Sequence, residues 1–370
     1  MPESNPTKAE GLLAGLHLDL PLLTGLILLC GFGLVVLYSA SGQDMGLIHR
    51  QAIRLGLGFG VLILLAQIPT SVLRRWSPWL FGIGILLLIA VLVTGEVGKG
   101  AQRWLDLGFF RFQPSELIKL AVPMMIAWFL AEKSLPPKWN RLVMAGIFIL
   151  VPVLLIARQP DLGTSLLVAS AGIFVLFLAG LSWRFIGGMI LTAIPTAWVL
   201  WEWGMRDYQR SRVLTFLDPE RDPLGSGYHI IQSKIAIGSG GLYGKGWLNG
   251  TQSHLEFLPE RTTDFIFAVM AEEFGFTGIV ALVLLYLFII LRGLYIASQA
   301  QDTYSRLLGG ALTLVFFVYL FVNTGMVSGI LPVVGVPLPL ISYGGTSLVT
   351  IMAGFGILMS IHTHRKLLPT

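Results

Sequence analysis

A chain of 370 residues, 55% of them apolar and only 12% charged, has too little polar surface to stay dissolved as a globular domain. Its formal charge of +5 is scattered over short connections with no concentrated basic face, which excludes a nucleic-acid platform and suits anionic lipid headgroups. One cysteine, Cys30, inside an apolar run, excludes a disulfide framework and argues against a reactive thiol.

A bilayer core of about 30 Å requires about 20 apolar helical residues. In chain order, runs free of Asp, Glu, Lys and Arg extend from Leu20 to Gln43, Leu55 to Leu73, Trp76 to Gly95, Leu142 to Ala157, Leu162 to Trp183, Phe185 to Trp201 and Phe274 to Leu291. The first is too long for a cleaved signal peptide and is expected to be a retained span. A further helix near Ser115 to Ala131 is apolar apart from Glu116 and Lys119. No Asp, Glu, Lys or Arg occurs from Leu307 to His364, and Gly325, Gly329, Pro332, Gly335, Pro337 and Pro339 divide that stretch into two helices joined by irregular backbone. The expected fold is an all-α polytopic membrane protein of about ten transmembrane helices, forming a single domain over residues 1–370. Lys and Arg favour the connections that are cytoplasmic when both termini are inside, which predicts an N-in, C-in topology with Arg50 and Arg54 in a short outer connection.

Most polar chain falls in one outer connection of about 60 residues, from Glu202 to Thr263, long enough to be functional. Within it GYHIIQSKIAIGSGGL, residues 227 to 242, places Ile230, Ile231, Ile235 and Ile237 at helical spacing and predicts an amphipathic helix lying on the membrane surface. GSGGLYGKGW, residues 238 to 247, lacks the preceding strand and the Ser or Thr after Lys of a phosphate loop, and is expected to be a turn in which backbone approaches backbone. His362 and His364, with no Cys or carboxylate nearby in sequence, are expected to be interfacial anchors rather than metal ligands.

Charges in spans cost about 2.5 to 3.5 kcal/mol each at mid-bilayer even on the cheaper scales, so each requires a reason. Glu116 and Lys119 are three residues apart and share a helix face, either as a pair that makes insertion tolerable or as the lining of a polar cavity open to the outside. Pro114 marks the helix start and puts the pair near the outer leaflet. Asp161 in RQPDLGTS and Asp264 in PERTTDFIF both stand where an N-cap is expected. The residues alone therefore indicate an outer-leaflet cluster of Arg111, Glu116, Lys119, Asp161 and Asp264 facing a long structured loop.

The strings YSASGQD (38 to 44), AQRWLDLG (101 to 108), RFQPSELIKL (111 to 120), QPDLGTS (159 to 165), DPLGSGYHIIQSKIAIGSGG (222 to 241), FLPERTTDFIFAV (257 to 269) and GMVSGILPVVGVPLPLISYGG (325 to 345) cover essentially the whole chain. They resemble the SEDS family of bacterial peptidoglycan polymerases, and GSGGL and FLPER resemble its elongation branch, which serves rod-shape maintenance. The resemblance implies ten helices in the inner membrane and inverting glycosyl transfer from lipid II, with the aspartate matching Asp264 as general base. The chemistry of that transfer makes Arg111, Glu116, Lys119, Asp161, Arg210, Lys234 and Glu256 the candidate substrate-binding residues. The cations would serve the leaving pyrophosphate, Glu116 would orient Lys119, and Glu256 would position acceptor or metal. A divalent cation, Mg or Mn, is an expected cofactor. The implied partners are a class B penicillin-binding protein and the elongation proteins MreC, MreD and MreB. Where many relatives carry a histidine before Thr-Asp, this chain has Thr262, so no role rests on a histidine there. Two rival functions are a lipid II flippase and a non-catalytic scaffold for a penicillin-binding protein.

Overall fold

In this computed structural model the described residues are 16–98, 101–106, 111–182, 185, 187–188, 191–192, 195, 198–205, 207–221, 226–254 and 260–364. The helices relevant here are α1 Leu20–Ala40, α2 Met45–Ala66, α3 Thr70–Thr94, α4 Pro114–Ala131, α5 Trp139–Arg158, α6 Leu162–Leu178, α7 Asp207–Leu217, α8 Ser226–Ser239, α9 Ile266–Ser298, α10 Thr303–Val327 and α11 Thr346–Thr363. Among the described residues eight are long and apolar enough to cross a membrane, with α6 a shorter apolar helix. The run expected from Phe185 to Trp201 lies partly outside the described residues. The chain is a multi-pass membrane protein. Its central helices α4, α10 and α11 are buried along most of their length, whereas α2, α3 and α5 turn most of their surface outward.

Four helices begin at aspartates that satisfy otherwise unpaired amides: Asp19 accepts from Leu22 N, Asp44 from Gly46 N and Leu47 N, Asp161 from Thr164 N, and Asp302 from Ser305 N. The Asp44 cap corrects an expectation. It starts α2 at Met45, so Arg50 and Arg54 stand on the helix rather than in a connection. The outer connection after α3 also departs from an all-helical chain. It forms a small antiparallel meander of β1 Glu96–Gly98, β2 Ala101–Asp106 and β3 Arg111–Phe112, ending at Pro114 of α4.

The long loop is structured and docks on α9, which begins eight residues before the apolar run from Phe274. Gly275 breaks that helix with φ 63° and ψ −163°, a conformation that costs an L side chain energy and glycine little. Broken backbone in a membrane protein must find substitute partners. The GSGGLYGKGW turn supplies them: Lys245 N and Gly246 N donate to Glu272 O and Glu273 O at 3.0 Å, while Phe276 N and Thr277 N donate to Gly241 O and Leu242 O at 2.9 and 3.0 Å. The same turn satisfies the fully buried Glu272 carboxylate through Lys245 Nζ at 2.7 Å, Thr251 N at 2.9 Å and Gln252 N at 3.1 Å. Backbone approaching backbone was the expected role of these glycines. The α8 expectation needs correction, because its inner face of Ile230, Ser233 and Ala236 is buried, with Ser233 Oγ donating to Val327 O at 2.7 Å. Ile235 alone of the four expected apolar positions is well exposed, so α8 packs on protein as much as on lipid.

At the cytoplasmic end Asp19 joins three elements. Arg292 of α9 clamps it with Nε at 3.0 Å and Nη2 at 2.6 Å, and His362 Nδ1 of α11 lies 3.3 Å away. His364 stacks on His17 with centroids 4.2 Å apart, so the two histidines tie the chain ends together rather than merely anchoring at the interface. Burial works to raise the Asp19 carboxyl, but hydrogen bonds from Arg292 and Leu22 N with the nearby positive charges outweigh it and hold the group below its ordinary value. The unfolded chain thus takes up the proton first, so this stabilisation is full at neutral pH and lost as pH falls through the lowered native value. Asp19→Asn is expected to cost about 3 kcal/mol by leaving Arg292 uncompensated. The check is the thermal midpoint in detergent at pH 7, with a gap to wild type that narrows on acidification.

Candidate active site

Asp264 lies on a turn at residues 260 to 265, not at a helix cap: the N-cap of α9 is Phe265, which makes no side-chain capping bond. Glu260 organises the turn from an unusual φ of 55°, accepting from Thr263 N at 3.0 Å and Phe265 N at 3.3 Å through its carbonyl. The next carbonyls are held from outside. Thr262 O accepts from Tyr343 N at 2.8 Å, Thr263 O from Ser342 Oγ at 2.6 Å, and Asp264 O from Asn323 Nδ2 at 2.8 Å. Asn323 also donates to Val336 O at 2.8 Å, which binds α10 to the irregular segment before α11. That segment runs past Gly335, where an added Cβ would stand 3.5 Å from Asp264 Oδ2. The Gly- and Pro-rich stretch is thus irregular backbone packed against the Asp264 turn, buried from Leu338 to Ser342 and open at Gly335.

One helical turn along α10 from Asn323, roughly 6 Å at 1.5 Å per residue, Tyr319 meets the second part of the site. Lys119 Nζ donates to Tyr319 Oη at 2.7 Å and to Glu116 Oε1 at 2.8 Å, with both charged side chains under 10% exposed. The pair is therefore real. Glu116 also lines an open cavity between α2, α4 and α11, so pairing and cavity lining hold together. On α2, Gln51 Nε2 donates to Ser342 O at 3.3 Å and its Oε1 accepts from Gly344 N at 3.4 Å, fixing the irregular segment from the other side.

Asp161 keeps its cap and adds two contacts: Arg103 Nε of β2 at 3.4 Å and Gln113 Nε2 at 3.5 Å. Its position ties the meander and the start of α4 to α6. Arg111 pairs with Asp106 in the β2–β3 ladder, and its side chain is outside the described residues. Glu256 is outside them altogether. Arg210 donates to the Glu202 carbonyl at 2.9 Å, a bond within its own loop, and Lys234 is exposed on α8 with its side chain over Gly329. The structure thus joins Asp264 to Glu116 and Lys119 through α10, gives Asp161 a neighbouring structural post, and records no contact that draws Arg210 or Lys234 to them. Asn323, Tyr319, Gln51 and Ser342 were missed. Their one sequence signal is polarity inside apolar helices or beside prolines. Among the described residues no three His, Cys, Asp or Glu side chains converge as a metal site.

The family model FTSW_RODA_SPOVE, described as cell cycle protein, matches residues 20–367. The chain is 58% identical over 95% of its length, and 95% of the relative's, to the peptidoglycan glycosyltransferase MrdB of Escherichia coli strain K12. It is 37% identical to the probable peptidoglycan glycosyltransferase FtsW of Geobacter metallireducens, over 94% of this chain and 95% of that protein. Two solved structures share the fold. One, described as a peptidoglycan synthase complex that coordinates polymerization and crosslinking, has a TM-score of 0.82 at 35% identity, over 94% of this chain and 99% of that one. The other, the rod shape determining protein RodA of Thermus thermophilus, has a TM-score of 0.71 at 30% identity, over 94% and 98%.

Proposed function

This chain belongs to the FTSW_RODA_SPOVE family of cell cycle proteins and is a peptidoglycan glycosyltransferase, and we propose that it polymerises lipid II in the bacterial inner membrane with Asp264 as general base. The supporting observation is the Asp264 turn, with three successive carbonyls held from two other elements; one of its donors, Asn323, stands on α10 one helical turn from Tyr319, which bonds the buried Lys119. Both substrates carry polyprenyl tails, so the reacting sugars must stand at headgroup level, where the outer ends of α4, α10 and α11 meet.

In the proposed step the Asp264 carboxylate takes the proton from the 4-hydroxyl of the acceptor GlcNAc as its oxygen attacks C1 of the donor MurNAc. The bond from C1 to the phosphate oxygen breaks, and its electron pair leaves with the lipid pyrophosphate. One displacement inverts the anomeric centre, so one carboxylate suffices. Lys119, held by Glu116 and Tyr319, is placed to meet the charge that develops on the leaving group. A divalent cation would supply further charge neutralisation, carried by the pyrophosphate and assisted by one or two carboxylates, as Mg²⁺ commonly is; Asp264 and Glu116 are the described candidates. Arg210, Lys234 and Glu256 keep their proposed substrate contacts for the long loop in its substrate-bound arrangement, Arg111 keeps its own from the meander before α4, and Asp161 acts by holding that end of α6.

Nothing in the sequence resembles a Ser-x-x-Lys transpeptidase centre, so crosslinking is assigned to a class B penicillin-binding protein partner, in keeping with the coupled complex whose fold this chain shares. Purified chain with fluorescent lipid II and a divalent cation is expected to yield glycan polymer. Transbilayer movement in proteoliposomes without polymer would support a flippase instead, and inactivity in both assays alone, relieved only by a partner enzyme's own polymerase activity, would support a scaffold.

A further inference from the structure

His229, near the start of α8, has no part in the step above. Its ring lies stacked on Phe265, the residue after Asp264, with centroids 5.6 Å apart and planes 21° from parallel. That separation is within the range of an offset aromatic contact, whose geometry is specific. The ring of Tyr228 meets the imidazole edge to face at 6.5 Å and 71°, so His229 is set between two aromatic neighbours. His229 is half-buried, whereas Phe265 is 3% exposed.

The helix that carries His229 is seated at two further points. Ser233, one turn on, donates through Oγ to Val327 O at 2.7 Å, at the end of α10. Just beyond the last residue of α8, a Cβ on Gly240 would come within 2.1 Å of Ala271 O, so only glycine permits that approach to α9. Val327 stands one helical turn, roughly 6 Å, from Asn323, the residue that donates to Asp264 O at 2.8 Å. Three links therefore close a triangle: Ser233 joins α8 to α10, Asn323 joins α10 to the Asp264 turn, and His229 joins α8 to the last residue of that turn.

The links differ in what they restrain. The bonds to Thr263 O and Asp264 O fix peptide planes, and they come from the segment before α11 and from α10. The stack restrains the Phe265 side chain, and through its Cα the far end of the peptide that Asp264 begins. It is a contact through which α8 bears directly on the base. Lys234, five residues further along the same helix, is among the residues proposed to meet substrate, so a shift of α8 on substrate reaches Asp264 through His229. A base displaced by about 1 Å can lose about 10²-fold in rate, so a ring contact one residue away has leverage on the reaction.

We propose that His229 is a positioning residue: its ring, stacked on Phe265, keeps Asp264 aimed at the acceptor hydroxyl while α8 is docked, and so ties base placement to the seating of the long loop. The proposal rests on the reading of Asp264 as general base. What it requires at position 229 is a flat ring rather than a proton.

The test measures kcat and KM for polymerisation of fluorescent lipid II by the full-length chain, comparing wild type with His229→Gln and His229→Phe. Each is also made in the Asp264→Asn background, and thermal midpoints are read alongside. Gln keeps polarity and loses the ring; Phe keeps the ring and loses polarity. His229→Gln is expected to lower kcat per folded molecule about 10- to 100-fold with KM unchanged. His229→Phe is expected to restore most of that loss, with the pH–rate profile of wild type. In the Asp264→Asn background the Gln change is expected to cost less than about twofold, since a base that is absent gains nothing from being aimed. A Gln variant as active as wild type, or a Phe variant as impaired as Gln, overturns the proposal. So does the same Gln loss in both backgrounds, which would give His229 a role apart from Asp264. Unchanged polymerisation by Asp264→Asn alone overturns the base reading and this proposal with it, so the two failures are told apart.

Discussion

Asp264→Asn is expected to lower the rate of glycan polymerisation by about 10² to 10⁴-fold, the usual contribution of a positioned general base, while leaving the folded protein intact. The amide keeps the shape of the carboxylate and loses its capacity to take a proton from the acceptor hydroxyl. Three bonds from other elements reach main chain rather than side chain: Tyr343, Ser342 and Asn323 donate to the main-chain carbonyls of Thr262, Thr263 and Asp264. Nor does the substitution remove a helix cap, because Phe265 occupies that position in α9. The measurement is polymer formed per folded molecule from fluorescent lipid II, read with the thermal midpoint. Wild-type polymerisation by both Asp264→Asn and Asp264→Ala would remove Asp264 from the role of base. A large loss of stability would instead return it to a structural role.

The spans were legible because burial in lipid imposes a length and a composition that no local detail reverses. The Glu116–Lys119 pair was legible because a helix fixes the spacing of residues three apart. What escaped was set by distant chain. Tyr319, the second partner of Lys119, is 200 residues away in sequence, and Asn323 reaches Asp264 across 59 residues. Nothing in the periodicity of either segment announces the meeting. The Asp264 cap expectation put the start of α9 within a residue of Ile266, but the charge-free run begins only at Phe274, because Glu272 and Glu273 interrupt the apolar pattern. Both are buried there because the Lys245 turn satisfies one and Ser39 of α1 donates to the other. Arg54 was placed in a connection for the same reason: charge was taken to mean water, where the structure offers a cavity at headgroup level.

The choice between an ion pair that only permits insertion and one that serves the reaction turns on Lys119→Met. Alone it leaves the nearly buried Glu116 carboxyl without its cation, and the expected loss is about 3 to 5 kcal/mol. That single result does not separate the readings, because both require the pair to be intact. The double variant Glu116→Gln, Lys119→Met does separate them. It removes both charges, so most of the lost stability is expected to return, much as buried ion pairs elsewhere can be replaced by neutral residues of similar volume. Activity is not expected to return with it, because no cation then stands opposite Tyr319 to meet the charge left on the pyrophosphate. A double variant that folds well and polymerises lipid II at the wild-type rate would make the pair a device for insertion alone. Tyr319→Phe gives the finer measure, since it leaves the charges paired at 2.8 Å and withdraws only the acceptor that directs Lys119 toward α10. A drop in kcat with KM unchanged would place the orientation of Lys119 in the transition state rather than in substrate binding.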